Sequence, residues 1–103
     1  MNTCITCGMP FTGEHANEIG METSYGPVCI HDCEDGDIKE AEDIFAGGVA
    51  YFADTVTDGD FDLAERLTRR NMLSLEYWQE NPSEELEGPV ATEAEFAEAM
   101  AKL

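Results

Sequence analysis

Cys4-Ile5-Thr6-Cys7-Gly8-Met9-Pro10-Phe11 is the stretch on which the reading of this chain turns. Two residues between cysteines let one tight turn aim both sulfurs at a single ion. Gly8 can take the positive φ that follows the second sulfur at no steric cost. Backbone N–H groups of such a turn can donate to the thiolates. A second pair, Cys29 and Cys33, has three residues inside it and 21 residues between it and the first pair. That separation suits a hairpin that carries the second pair back to the first. Zinc takes four tetrahedral ligands and accepts thiolates well. The expected metal ligands are therefore Cys4, Cys7, Cys29 and Cys33, with zinc as the cofactor. The first pair is the more specific of the two, because the second departs from two-residue spacing.

Other uses of four cysteines were weighed. Met1-Asn2-Thr3-Cys4 has neither the basic start nor the apolar run of a signal peptide. No segment approaches the roughly 18 apolar residues of a membrane span. A cytoplasmic location is expected, where thiols stay reduced and disulfides are disfavoured. A redox Cys-x-x-Cys would need a surrounding βαβ pattern, which is absent. An iron centre of rubredoxin type uses the same turns, and spacing does not separate it from zinc. His31 lies between Cys29 and Cys33 and is read as a neighbour of the ligands; it and Asp32 are the replacements considered for Cys33. Four thiolates around one divalent zinc leave a charge of about −2. With no Lys or Arg in residues 1–34, compensation is expected from backbone donors and from an arginine of residues 66–70.

The formal net charge is −18, from 23 acidic and 5 basic side chains. Residues 1–34 contribute −5 and residues 35–103 contribute −13. Nucleic-acid affinity comes largely from Lys and Arg neutralising phosphates, so nucleic acid and anionic membranes are excluded as expected partners. Solubility accounts for the acidity. Arg66, Arg69 and Arg70 share a helical face and are expected to pair with nearby acids. The run Glu34-Asp35-Gly36-Asp37 lacks the ligand order of a calcium loop and reads as solvated.

Past the first cysteine region the pattern is helical. Ile19, Met21 and Thr23 alternate as in a strand, and Tyr25-Gly26-Pro27 reads as a turn. Over 37–57, Ile38, Ala41, Ile44, Phe45, Val49, Phe52 and Val56 recur at helical spacing. Gly47-Gly48 interrupts that helix as a weak point, a kink or a place of close packing. Asp60 is a plausible N-cap for a helix to about 71, with Leu63, Ala64 and Leu67 as its buried stripe. A short helix near 74–80 presents Leu75 and Trp78. Residues 81–91 read as a flexible acidic linker. Thr92 and Glu95 form a capping-box pattern for a last helix over 93–103, striped by Phe96, Ala99, Met100 and Leu103.

The Cys4-Ile-Thr-Cys-Gly-Met-Pro-Phe11 opening resembles that of a small prokaryotic zinc-ribbon family, which begins Cys-x-x-Cys-Gly-Met-Pro-Leu/Phe. The resemblance extends through Val28-Cys29, Gly36-Asp37-Ile38 and the Met72-Leu73-Ser74-Leu75-Glu76-Tyr77-Trp78 segment, covering roughly residues 3–80. It implies metal binding and an interaction role. The family's second pair is usually Cys-x-x-Cys, and counting back from Gly36 by its spacing lands on Asp32. Cys33 is preferred as ligand because a neighbouring thiol suits zinc better than a carboxylate.

The expected fold is α+β and mainly helical: a zinc-ribbon module at 1–36, a helical region at 37–80 packed on it, the linker at 81–91 and a C-terminal helix at 92–103. The expected function is that of a structural Cys4 zinc protein working through protein contacts, as a monomer or a homodimer paired through its tail. A metal-dependent enzyme or an iron or redox protein using the same cysteines is the alternative. No catalytic constellation stands out.

Overall fold

The computed structural model describes residues 3–103, so the first two residues of the 1–36 module lie outside it. Strand β1 (Ile19–Thr23) pairs antiparallel with β2 (Gly26–Cys29). The alternation of Ile19, Met21 and Thr23 thus marks a real strand, and the chain reverses just before Gly26. The register slips between Ile19 and Met21, a bulge at Gly20. A Cβ at Gly20 would sit 2.5 Å from Cys33 Sγ and 3.0 Å from Ile30 Cα, so only glycine lets these chains approach.

A second, smaller hairpin joins β3 (Cys33–Glu34) to β4 (Asp37–Ile38). Its turn is Asp35-Gly36, both with positive φ (53° and 83°). Asp-Gly supplies that geometry for two-residue hairpins whose twist matches the strands. Sequence periodicity assigned Asp37 and Ile38 to the following helix; the hairpin claims them instead. Helix α1 therefore runs Ala41–Thr55.

Helix α2 (Phe61–Leu73) begins at the expected cap, with Asp60 accepting from the Leu63 N–H at 3.1 Å. Helix α3 is Glu76–Glu80 and α4 is Glu93–Met100. The Thr92–Glu95 capping box forms in full. The architecture is α+β, four helices beside two small antiparallel sheets among the described residues. No helix among those residues is long and apolar enough to cross a membrane.

Helices α1 and α2 pack along Val49, Phe52, Ala53, Val56, Ala64 and Leu67, and α4 closes this core with Ala99, Phe96 and Met100. The tail thus docks on its own chain through Phe96 and Met100, while Leu103 stays exposed. A second cluster gathers Ile44, Met72, Trp78 and Leu86. Ile38 touches both this cluster and the one formed by Cys4, Phe11, Val28 and Cys29, so it joins the helices to the cysteine region.

Residues 81–91 differ from the flexible linker expected of them. Glu84–Leu86 forms a 3-10 turn that buries Leu86. Arg69 donates to the carbonyls of Glu85 and Pro89, at 3.1 Å each. Arg70 donates to the Ala91 carbonyl, and the Ala91 N–H donates to the Arg66 carbonyl. Composition marked the segment as polar and bent; it carried no sign that guanidinium groups on α2 would collect its backbone.

Candidate metal centre

The 4–8 segment folds as its residues suggest. The Gly8 N–H donates to the Cys4 carbonyl at 2.8 Å and the Cys4 N–H to the Met9 carbonyl at 2.8 Å. Gly8 takes φ +79°, the left-handed value that a side chain would disfavour. The Ile5 N–H donates to the Pro27 carbonyl at 3.0 Å, pinning the turn to β2. The end of β2 then delivers Cys29 to the first pair: Cys7 Sγ and Cys29 Sγ are 3.8 Å apart.

The fourth member is Asp32. One ligand atom each from Cys4, Cys7, Cys29 and Asp32 all lie within 4.8 Å of one another. Cys33, the expected fourth ligand, is outside this group, and it packs against Gly20 on β1. The cause is the register of the small hairpin. Its Asp35-Gly36 turn pairs Glu34 with Asp37 and Cys33 with Ile38, and the Lys39 N–H donates to the Asp32 carbonyl at 2.9 Å. Asp32 lies in the bend before β3 and faces the three sulfurs, while Cys33 opens the strand and faces Gly20. The spacing back from Gly36 had pointed to Asp32; the preference for a thiol overrode it. His31 is more than half exposed, and its Nε2 lies 3.4 Å from Glu18 Oε1, an acid that His15 Nδ1 also meets at 3.1 Å.

The cluster is buried: Cys4 is 0%, Cys29 1% and Asp32 7% exposed. All four cysteines of the chain are unbridged. The Cys29 N–H donates to Cys4 Sγ at 3.3 Å, and the Thr6 hydroxyl lies 3.1 Å from the same sulfur. With hydrogen bonds from Cys29 and then Cys7, the Cys4 thiol is held far below its ordinary value against the cost of burial. The same contacts work the other way on its neighbours. Cys29 is pushed up to about 12, chiefly by its bond to Cys4, and Cys7 is raised by Cys29, by Cys4 and by burial. Burial raises Asp32 as well, with Thr6 pulling the other way. Each further thiolate would place like charge beside the first, and a cation among the donors would relieve that repulsion.

The donor set fits such a cation. Sulfurs about 2.3 Å from one tetrahedral zinc are about 3.8 Å apart along the edge, and the Cys7–Cys29 pair already has that separation. Three thiolates and a carboxylate leave the same charge, about −2 around a divalent ion, as four thiolates. The arginines expected to offset it are elsewhere. Arg66 meets Asp62 and Glu95, while Arg69 and Arg70 hold tail carbonyls. The backbone donor that reaches a sulfur is the Cys29 N–H on Cys4 Sγ, and side chains from the helices hold the turn by its carbonyls. Asn71 Nδ2 donates to the Cys7 carbonyl at 2.8 Å and Trp78 Nε1 to the Thr6 carbonyl at 2.9 Å. Periodicity did not single out Asn71 or Thr6, since neither lies on an apolar stripe.

No family model, curated protein or solved structure matches the chain.

Proposed function

We propose that this chain is a zinc protein whose ion, held by Cys4, Cys7, Cys29 and Asp32, is structural, and that the domain so built works through contacts with other proteins in the cytoplasm. The observation that carries the reading is the convergence of three sulfurs and one carboxylate oxygen within 4.8 Å. Three soft thiolates favour zinc or iron over magnesium and calcium. Four protein donors make a closed tetrahedral set, the mark of a structural rather than a catalytic zinc site. The zinc-ribbon resemblance of residues 4–11 agrees with this assignment. The bound ion would supply cross-linking of the 4–8 turn to the two hairpins. The net charge of −18 argues for protein rather than nucleic-acid partners.

The test is elemental analysis of purified protein, with thiol titration before and after chelation. About one zinc per chain is expected, lost in Cys4→Ser. A chain that carries iron instead would redirect the reading to redox chemistry. A chain that folds with no metal at all would remove it.

A further inference from the structure

A hydroxyl inside the metal centre is unaccounted for by ligation. Thr6 lies between Cys4 and Cys7, next to Cys7, and is 0% exposed. Burying a hydroxyl costs free energy unless it is hydrogen-bonded. The chain's helical threonines meet that need locally: Thr68 and Thr55 each donate to the carbonyl four residues back, at 2.7 and 2.6 Å. Thr6 Oγ1 lies 3.1 Å from Cys4 Sγ, two residues back, yet donates its one proton to Asp32 Oδ2 at 2.7 Å, across 26 residues of chain. That same Oδ2 lies 3.6 Å from Cys4 Sγ, so the bonded oxygen faces the cluster. The 2.7 Å hydroxyl–carboxylate bond is charge-assisted and among the stronger kinds. The backbone of the same residue is fixed from the other side, where Trp78 Nε1 donates to its carbonyl at 2.9 Å.

We propose that Thr6 is the positioning residue of the centre, holding the Asp32 carboxylate in place as fourth ligand. The inference rests on the metal reading above. A carboxylate has two oxygens and free rotation about its last bond, whereas a thiolate has one donor atom. Replacing a sulfur by Asp32 therefore leaves an orientation to be fixed, and Thr6 Oγ1 fixes it by occupying Oδ2. Groups that orient ligands in this way are worth about 10–100-fold in metal affinity. Thr6 is thus the companion that the carboxylate ligand requires, and the 4–8 turn supplies it from between its own two cysteines.

The test uses the full chain and zinc itself, with affinity measured by competition against a chromophoric chelator. Thr6→Val keeps the branched shape and removes the hydroxyl; it is expected to weaken zinc about 10–100-fold. Thr6→Ser restores the hydroxyl and is expected to bind nearly as the parent does. In an Asp32→Ala background, Thr6→Val should cost nothing more, because the two residues act as one unit. Parent-like affinity in Thr6→Val overturns the proposal. So does a Thr6→Ser variant as weak as Thr6→Val, or full additivity in the double variant, since either would assign Thr6 to packing alone. A parent chain that takes up no zinc overturns the underlying metal reading instead.

Discussion

At the scale of single residues, the contest is between Asp32 and Cys33. Cys33→Ser is expected to keep its full complement of metal, and Asp32→Ala to lose affinity by at least about tenfold, the lower end of what a group supporting a metal site contributes. Metal content after dialysis against a graded chelator checks both. The opposite order would restore the four-cysteine site. Cys4, Cys7 and Cys29 were legible because spacing alone fixes how a turn can aim sulfurs. The fourth position was not, because it depends on the register of a hairpin two residues further on. That register was available in Asp35-Gly36, a two-residue turn signal, but the acidic neighbours Glu34 and Asp37 made the run look merely solvated. The geometry groups Asp32, not Cys33, with Cys4, Cys7 and Cys29.

At the scale of elements, the glycine pair in α1 separates into two different residues. A Cβ on Gly47 would meet nothing within 4 Å, whereas one on Gly48 would lie 2.8 Å from Thr68 Cγ2. Thr68 is buried on α2 with its hydroxyl tied to Ala64, and a β-branched side chain has little room to turn away. Gly47→Ala is expected to stabilise by about 0.5–1 kcal/mol. Gly48→Ala is expected to destabilise despite the same gain in propensity. Urea denaturation of the two variants reads the difference directly. The docking of α4 has its own signature. The Thr92 backbone N–H and the Arg66 guanidinium both hold the Glu95 carboxyl below its ordinary 4.5. A depressed carboxylate contributes stability that is present above the unfolded value and lost as pH falls through the folded one. Protection against hydrogen exchange in residues 92–103 should therefore fall relative to that of the α1–α2 core as the pH drops below 4.5; a ratio unchanged with pH would contradict it. The caps of α2 and α4 were readable to the residue because Asp60 and Thr92 act locally. The start of α1 was not, since β4 competes for Asp37 and Ile38. Nor was the course of 81–91, which is decided by arginines roughly one helix away.

At the scale of the whole molecule, the cysteine region and the helices are bonded together rather than merely adjacent. Asn71 and Trp78 donate to the carbonyls of Cys7 and Thr6, and Tyr77 stacks edge-on with both Trp78 and Tyr25 at 4.9 and 5.3 Å. Trp78 is the only tryptophan in the chain and donates to the Thr6 carbonyl, so its emission reports on the 4–8 turn. Chelation is expected to shift that emission toward the red and to lower the melting temperature of the helices along with the 4–8 region. Unchanged emission and melting would mean that the two parts are uncoupled. The α+β class was legible in the sequence; these polar ties were not. The use made of the arginines has a wider result. Arg69 and Arg70 donate to backbone oxygens, and the five basic side chains of the chain stand against 23 acidic ones. The folded chain is consequently a small, compact polyanion, repelling itself over a range that shrinks from about 10 Å in 0.1 M salt to about 3 Å in 1 M. Ordinary sodium chloride should then behave as a stabiliser, raising the melting temperature steadily across that range.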